Sequence, residues 1–277
     1  EIPKRDWSSD VCSSDLFLAG ETEGRACYLA FQQAGIAGFE VGYLLVRRDG
    51  VRVAVAPYFV TRYRANTTLP AGVLKKLFAW LAFDIACVGH PVTDFGAIDG
   101  EVSAEVLAAV NAFLFGRAGV VAYKDFGADL PLAGFAREPN LPVARLALAT
   151  DFYARLPRAR RREFHERKRR ARALRIEECT DFPHAHAARI HALYLETRAR
   201  GEMQFEMLTR QYFERMARPG RYVLYWEGEH LIGFALSVCK GHVMLAKYLG
   251  MDYVRARRYG LYFFMMLSHI DICLREG

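Results

Sequence analysis

The amino-acid sequence predicts an α/β protein of the α+β class, with two tandem modules at residues 17–150 and 151–277. Each module is a mixed, mostly antiparallel sheet flanked by helices. Three observations predict this fold. An Asp-Gly turn joins two apolar runs in the first half, the second half has the order helix, helix, three antiparallel strands, helix, and the hairpin at 39–61 is echoed at 221–239. The second module is predicted to be incomplete, because the sequence stops at the end of a helix.

The first sixteen residues are left out of the fold prediction. Residues 6–16 have neither helical nor strand periodicity, and residues 10–16 are similar to a translated sequencing-adapter oligonucleotide. A natural Ser-rich linker is the alternative interpretation. We expect a non-native segment here, so the chain is predicted to be truncated at both ends.

The elements of the first module follow from apolar periodicity. Residues 39–47 and 51–61 are rich in Val, Tyr, Leu and Phe, and Asp49-Gly50 between them is a hairpin signal. Apolar residues recur at helical spacing over 101–116, after Ser103 or Gly100 as the cap. Short β-branched and aromatic runs predict strands at 119–126 and 143–148, with a loop at 131–142 between them.

The second module begins with helices. Residues 158–174 favour a helix because Ala, Arg, Glu and Lys dominate and neither Gly nor Pro interrupts them. Further helices are predicted at 184–200 and 209–217, the latter stopped by Pro219-Gly220. A three-stranded meander is predicted at 221–226, 231–239 and 242–250. A polar loop at 252–260 then opens an apolar helix at 261–274.

The net charge of +7 is concentrated in one segment. From Arg155 to Arg175 the chain holds eleven Lys and Arg against two Glu, an excess larger than the net charge of the whole chain. A solvated helix face or interdomain connector is one interpretation. A surface for a substrate or a carrier phosphate is another, and contact with an RNA such as tRNA is the third. The segment offers few aromatic side chains that could stack on bases.

Several other chemistries find no support in the sequence. The six cysteines form no CxxC pair and follow no secretory signal, which favours a reducing cytoplasm. No apolar stretch reaches the roughly 20 residues of a membrane span. No GxSxG motif is present, and His184, His186 and His191 lack the spacing of a helical zinc site, so we expect no metal.

The loop before the last helix carries the clearest signal for a binding site. A helix N-terminus offers unsatisfied N–H donors and a partial positive charge, and glycine lets an anion approach the backbone closely. As alternatives, Arg255, Arg257 and Arg258 lie in a solvated loop without a ligand, and Gly260 only permits a turn of the backbone. We expect an anion at this loop, held by Arg255, Arg257, Arg258, Tyr259, Gly260 and Leu261.

This order of elements, with a basic Gly-containing loop between a strand and an apolar helix, resembles the GNAT superfamily of N-acyltransferases. The closer resemblance is to its tandem branch of FemAB-like and BioF-associated acetyltransferases, in which two such modules lie side by side. It covers 151–277 better than 24–150. The loop 255–262 lacks the additional small residues of the usual GNAT pattern, which weakens the implied choice of acetyl-CoA. The resemblance implies that the loop amides hold the pyrophosphate of acyl-CoA.

The resemblance also implies a mechanism in which an amine attacks the thioester directly. The protein would position both reactants, accept a proton from the ammonium and polarise the carbonyl with a backbone N–H of the adjacent strand. Tyr248 is the candidate acid for the departing thiolate, and Asp252 is the candidate base. We predict that the chain as given is inactive, because the strand that should follow the last helix is not in it.

Three functions therefore remain open. The first is acyl transfer from acyl-CoA to a small-molecule or peptide amine in the cytoplasm of a bacterium. The second is Fem-type aminoacyl transfer from tRNA, which predicts salt-sensitive RNA binding through residues 167–170. The third is a non-catalytic ligand-binding module, which predicts no carrier binding.

Overall fold

A computed structural model describes residues 18–64, 80–139, 143–201 and 205–277. It confirms the predicted α+β class, with two sheets of mostly antiparallel strands. The chain divides into two compact units: unit 1 is Glu1–Val143 with Met203–Met207, and unit 2 is Ala144–Glu202 with Leu208–Gly277. The predicted adapter-derived segment 1–16 lies outside the described residues.

Unit 1 begins with helix α1 (Arg25–Ala34), which the sequence analysis did not predict. The predicted hairpin follows as β1 (Phe39–Arg48) and β2 (Val51–Arg64), paired antiparallel. Asp49 and Gly50 have φ of 51° and 80°. Two successive positive φ values give the turn whose twist suits a hairpin, which is why Asp-Gly predicts it.

The rest of the unit 1 sheet grows from β2. Strand β3 (Ala82–Val88) pairs antiparallel with β2, as does the short β4 (Asp99–Gly100). Helix α2 (Ala104–Phe115) begins at Ser103, whose side chain accepts a hydrogen bond from Val106 N over 3.3 Å. Strand β5 (Val120–Tyr123) then pairs parallel with β3. A buried face of α2, including Val110 and Leu114, packs into the core of this sheet.

The predicted strand at 143–148 is wrong. These residues form no regular secondary structure, and Val143 and Leu146 expose about half of their surface. An apolar β-branched run becomes a strand only where a neighbouring strand satisfies its backbone groups, and no ladder among the described residues includes this one.

Unit 2 begins with two helices, a short α3 (Phe152–Arg155) and the basic α4 (Arg158–Ala171). Strand β6 (Arg175–Cys179) follows, then a 3₁₀ turn (His184–His186) that leads into α5 (Ala187–Arg198), and then α6 (Arg210–Arg215). The predicted meander forms as β7 (Gly220–Glu227), β8 (His230–Lys240) and β9 (Val243–Met251). The chain closes with α7 (Tyr253–Ala256), a 3₁₀ turn (Arg257–Tyr259) and α8 (Leu261–Glu276).

The sheet of unit 2 is antiparallel throughout, in the order β6-β7-β8-β9. Its central strands β7 and β8 are almost entirely buried, which explains their near-continuous apolar sequences. One face of α8 joins their core, with Leu261, Phe264 and Met265 packed against residues such as Val223 and Tyr225. Strand β9 is at the end of the sheet order, so among the described residues its outer edge has no strand partner.

Candidate functional site

The predicted anion-binding loop connects the sheet edge to the last helix. Strand β9 ends at Met251, and the chain makes the helical turn α7 and a 3₁₀ turn before α8. Gly260 joins them with φ 60° and ψ 40°, the left-handed conformation that glycine adopts without strain. A Cβ at this position would meet no atom within 4 Å. The glycine is therefore required by its backbone angle rather than by crowding.

The first turn of α8 presents backbone donors that the helix itself does not use. The first intrahelical bond of α8 runs from Phe264 N to Gly260 O over 3.2 Å. The amides of Leu261, Tyr262 and Phe263 precede it and have no intrahelical acceptor. No side chain caps this helix. Leu261 is buried, whereas Tyr262 and Phe263 are 48% and 51% exposed, so the helix start borders solvent at these two residues.

Two of the three loop arginines are paired with a carboxylate that the sequence analysis did not single out. Glu227, at the end of β7, accepts hydrogen bonds from Arg255 Nη1 at 2.7 Å and from the Tyr259 hydroxyl at 2.6 Å. Arg258 forms an ion pair with the same carboxylate. The Glu227 side chain is only 14% exposed. The Glu227 carboxylate therefore already binds three side chains that the sequence predicted to bind a ligand anion.

Arg257 differs from the other two loop arginines. It is exposed, and within the described part of the chain it forms no ion pair or side-chain hydrogen bond. It lies in the 3₁₀ turn, three residues before Gly260. Of the predicted loop cations, Arg257 is the one whose charge is not already neutralised.

Asp252 is the N-terminal cap of α7. Its carboxylate accepts hydrogen bonds from Val254 N at 3.1 Å and Arg255 N at 3.0 Å, and it pairs with Arg189 Nη2 at 3.1 Å. Burial raises the pKa of Asp252, but the hydrogen bond from Arg255 N and the contact with Arg189 outweigh it and hold the pKa below its ordinary value. A carboxylate stabilised in this way is a weak proton acceptor, and its catalytic role stays a prediction.

Tyr248 lies on the edge strand, in an irregular part of the ladder. It pairs in register with Leu236, whereas the next pair is Ser237 with Ala246, so Lys247 is an extra, bulged residue. The Tyr248 ring packs edge-on against Tyr194, 6.1 Å between centroids. Bulges interrupt regular pairing and redirect backbone and side chains, and they are common beside active sites. The acid role of Tyr248 stays a prediction.

The basic segment forms helix α4, and many of its cations are engaged within unit 2. Arg160 and Arg167 pair with Glu163, and Arg169 and Arg170 pair with Glu166. Beyond the helix itself, Lys168 pairs with Asp271 of α8 at 2.6 Å, and Arg167 lies 4.1 Å from the centre of the Phe263 ring. Part of the positive charge of α4 is thus used to hold this helix against α8.

Neither a metal centre nor a membrane segment emerges from the described residues. No group of three His, Cys, Asp or Glu among them is placed to hold a metal ion. The three histidines near α5 face different partners: His184 packs on Phe182, His186 packs on Trp226, and His191 bonds Leu208 O. In the same ranges of the chain, no helix has the length and apolarity needed to cross a bilayer.

The fold and the site define an α+β protein of two units, with an uncapped helix N-terminus beside a bulged edge strand. No protein-family model matches the chain, and a search of curated proteins also returned no match.

Proposed function

We propose that unit 2 transfers an acyl group from acyl-CoA to an amine, by direct attack of the amine on the thioester. The observation that carries the proposal is the uncapped start of α8, where Gly260 in the left-handed conformation leads into the amides of Tyr262 and Phe263, two residues that are about half exposed. Such a helix start is suited to a phosphate group. The exposed guanidinium of Arg257 adds a positive charge nearby.

The adjoining edge strand supports the rest of the mechanism. A carrier whose pyrophosphate lies at Tyr262 would extend its pantetheine arm along β9, which has no strand partner on its outer side among the described residues. A backbone N–H of β9 would polarise the thioester carbonyl, and Tyr248 would protonate the departing thiolate. Asp252, with its lowered pKa, contributes mainly by holding the loop. The ammonium group of the substrate releases one proton to water before the attack, and the second proton that leaves the attacking nitrogen restores Tyr248 through water.

The proposal is tested by removing a single backbone donor. Proline lacks an N–H and is tolerated in the first turn of a helix, so Tyr262→Pro deletes the donor at this position. Tyr262→Ala is the matched control, because it removes the same side chain and keeps the amide. A hydrogen bond to a charged group contributes about 1.5–3 kcal/mol, so we expect the proline variant to bind CoA about 10- to 100-fold more weakly.

Isothermal calorimetry with acetyl-CoA and a long-chain acyl-CoA measures this difference. Tyr262→Ala should retain affinity within about threefold of the unmodified protein, because the donor count is unchanged. Equal affinities for the proline and alanine variants would show that the α8 amides do not hold the carrier. Circular dichroism of both variants checks that they keep the helix content and the thermal unfolding of the unmodified protein.

A second candidate, a non-catalytic module with a degenerate carrier site, is favoured by Glu227. Its carboxylate occupies Arg255, Arg258 and Tyr259, as an internal substitute for a ligand anion. This candidate predicts no binding heat with any thioester. In contrast, no observation favours the tRNA-dependent alternative over the first candidate, since residues 167–170 are engaged in ion pairs.

A further inference from the structure

A pocket of about 260 Å³ opens in unit 2 at the turn between β7 and β8, beside the start of α5. Its volume lies just below the roughly 300–1,000 Å³ of sites for drug-sized molecules, so it suits a smaller ligand. The polar side chains that line it are His186, Arg189, Trp226, Glu229, His230 and Arg255.

Trp226 has a hydrogen-bonding requirement that the protein does not meet. The residue is 5% exposed, and its indole Nε1 is buried with no hydrogen-bond partner among the described residues. An indole N–H can only donate, so it requires an acceptor atom. Leaving a buried donor unpaired is costly, and such groups call for an explanation. A ligand that brings an acceptor atom into the pocket would satisfy this donor and explain why it is unpaired in the protein alone.

The indole ring is held in place from several directions. The His186 ring meets it edge-on with 4.8 Å between centroids, and the Arg175 guanidinium lies 4.7 Å from its centre. The ladder is also irregular at this point, because Tyr225 pairs with Gly233 whereas Trp226 pairs with Leu231. The extra residue on β8 is a bulge, which redirects neighbouring side chains. The indole is thus oriented before any ligand arrives.

The two arginines of the pocket can offer a ligand further hydrogen-bond donors in addition to the indole N–H. Arg189 uses Nε for Leu231 O at 3.0 Å and one Nη for Asp252. Arg255 uses Nη1 for Glu227. A guanidinium has five N–H donors, so both arginines keep donors beyond these bonds. Their forks match the geometry of carboxylate and phosphate oxygens.

We propose that this pocket binds the carboxylate or phosphate group of a small polar molecule, with Trp226 Nε1 and the guanidinium groups of Arg189 and Arg255 donating to its oxygens. Glu229, exposed on the turn, would accept a hydrogen bond from an ammonium or hydroxyl group of the same molecule. This site is separate from the amides of α8, and it does not depend on the proposed acyl transfer.

The test follows the indole N–H directly by NMR of ¹⁵N-labelled protein. The sequence has three tryptophans, and Trp226→Phe assigns the Trp226 signal. The protein is titrated with sodium phosphate and with sodium acetate, and sodium chloride serves as the ionic-strength control. We expect the Trp226 indole signal to move and saturate with at least one of the two oxyanions. The signal of Trp80, which is 78% exposed, should stay in place.

Comparison of the two anions tells a carboxylate ligand from a phosphate ligand. By calorimetry, Trp226→Phe should lower the affinity for the more tightly bound of the two anions by about tenfold. This is the loss expected for one hydrogen bond to a charged group. The proposal is overturned if the Trp226 signal moves with neither anion, or moves equally with chloride. Tyr262→Pro should leave this titration unchanged, so failure of carrier binding at α8 and failure of this pocket are distinguishable. If Trp226→Phe does not fold, Trp7→Phe and Trp80→Phe identify the Trp226 signal by elimination, and the titration of the unmodified protein decides.

Discussion

At the scale of single residues, Glu227 determines how the predicted anion loop behaves. Sequence reasoning found the loop arginines, because they stand next to one another and before an apolar helix. It could not find Glu227, because this residue is 28 positions before Arg255 and meets it only after β7, β8 and β9 have folded. The same holds for Trp226 and the bulge opposite it, for which no local pattern exists. Contacts between distant segments are what a local reading of the sequence misses.

Neutralising Glu227 should therefore strengthen carrier binding. Glu227→Gln keeps the size of the side chain and removes the negative charge that faces Arg255 and Arg258. A unit charge about 4 Å away is worth about 1 kcal/mol in a high-dielectric setting, so we expect CoA to bind about fivefold more tightly. Calorimetry measures the change. Glu138→Gln, at an exposed position of unit 1, is the matched control, and equal affinities for the two variants would contradict the account.

At the scale of elements, helix α8 depends on a buried polar contact as well as on apolar packing. His269 Nε2 lies 2.9 Å from Ser237 Oγ of β8, and its Nδ1 lies 2.8 Å from Met265 O. Nδ1 can bond a carbonyl only as a donor, so in the neutral ring Nε2 accepts from Ser237. Burial lowers the pKa of His269 below its ordinary value, because the charged ring would lose its hydration.

This lowered pKa predicts how stability depends on pH. The folded state disfavours the protonated ring, so the contribution of His269 is fully present above its unfolded pKa of about 6.5 and is lost as the pH falls below it. Between pH 7.5 and 5.5 we expect the melting temperature of the unmodified protein to fall more than that of His269→Gln, which does not titrate. His230→Gln, at an exposed position, is the control. Parallel curves for all three proteins would exclude this role of His269.

Elements with a strong local signal could be predicted from the sequence. The hairpin at Asp49-Gly50, the meander of unit 2 and α8 lie within a few residues of their predicted positions. Strands β3 and β6 were not predicted, and the expected strand at 143–148 does not form. In these short segments the presence of a pairing partner, rather than the local composition, decides the outcome.

At the scale of the whole molecule, each unit has a helix that follows antiparallel strands, and the two helices begin differently. In unit 1, helix α2 is capped by Ser103, whose hydroxyl already accepts from Val106 N. In unit 2, helix α8 begins at Gly260 with no side-chain cap. The contrast concerns these two helices, since α1 of unit 1 also begins after a glycine, Gly24, without a side-chain cap.

The central claim is that the backbone donors at the start of α8 bind the anionic part of an acyl carrier. Backbone amide NMR during titration with acetyl-CoA tests it most directly, because it reports each donor separately. The account predicts that the amide signals of Tyr262 and Phe263 move downfield and saturate at one equivalent, while that of Val106, capped in the other unit, stays in place. Stationary Tyr262 and Phe263 signals at saturating acetyl-CoA would contradict it.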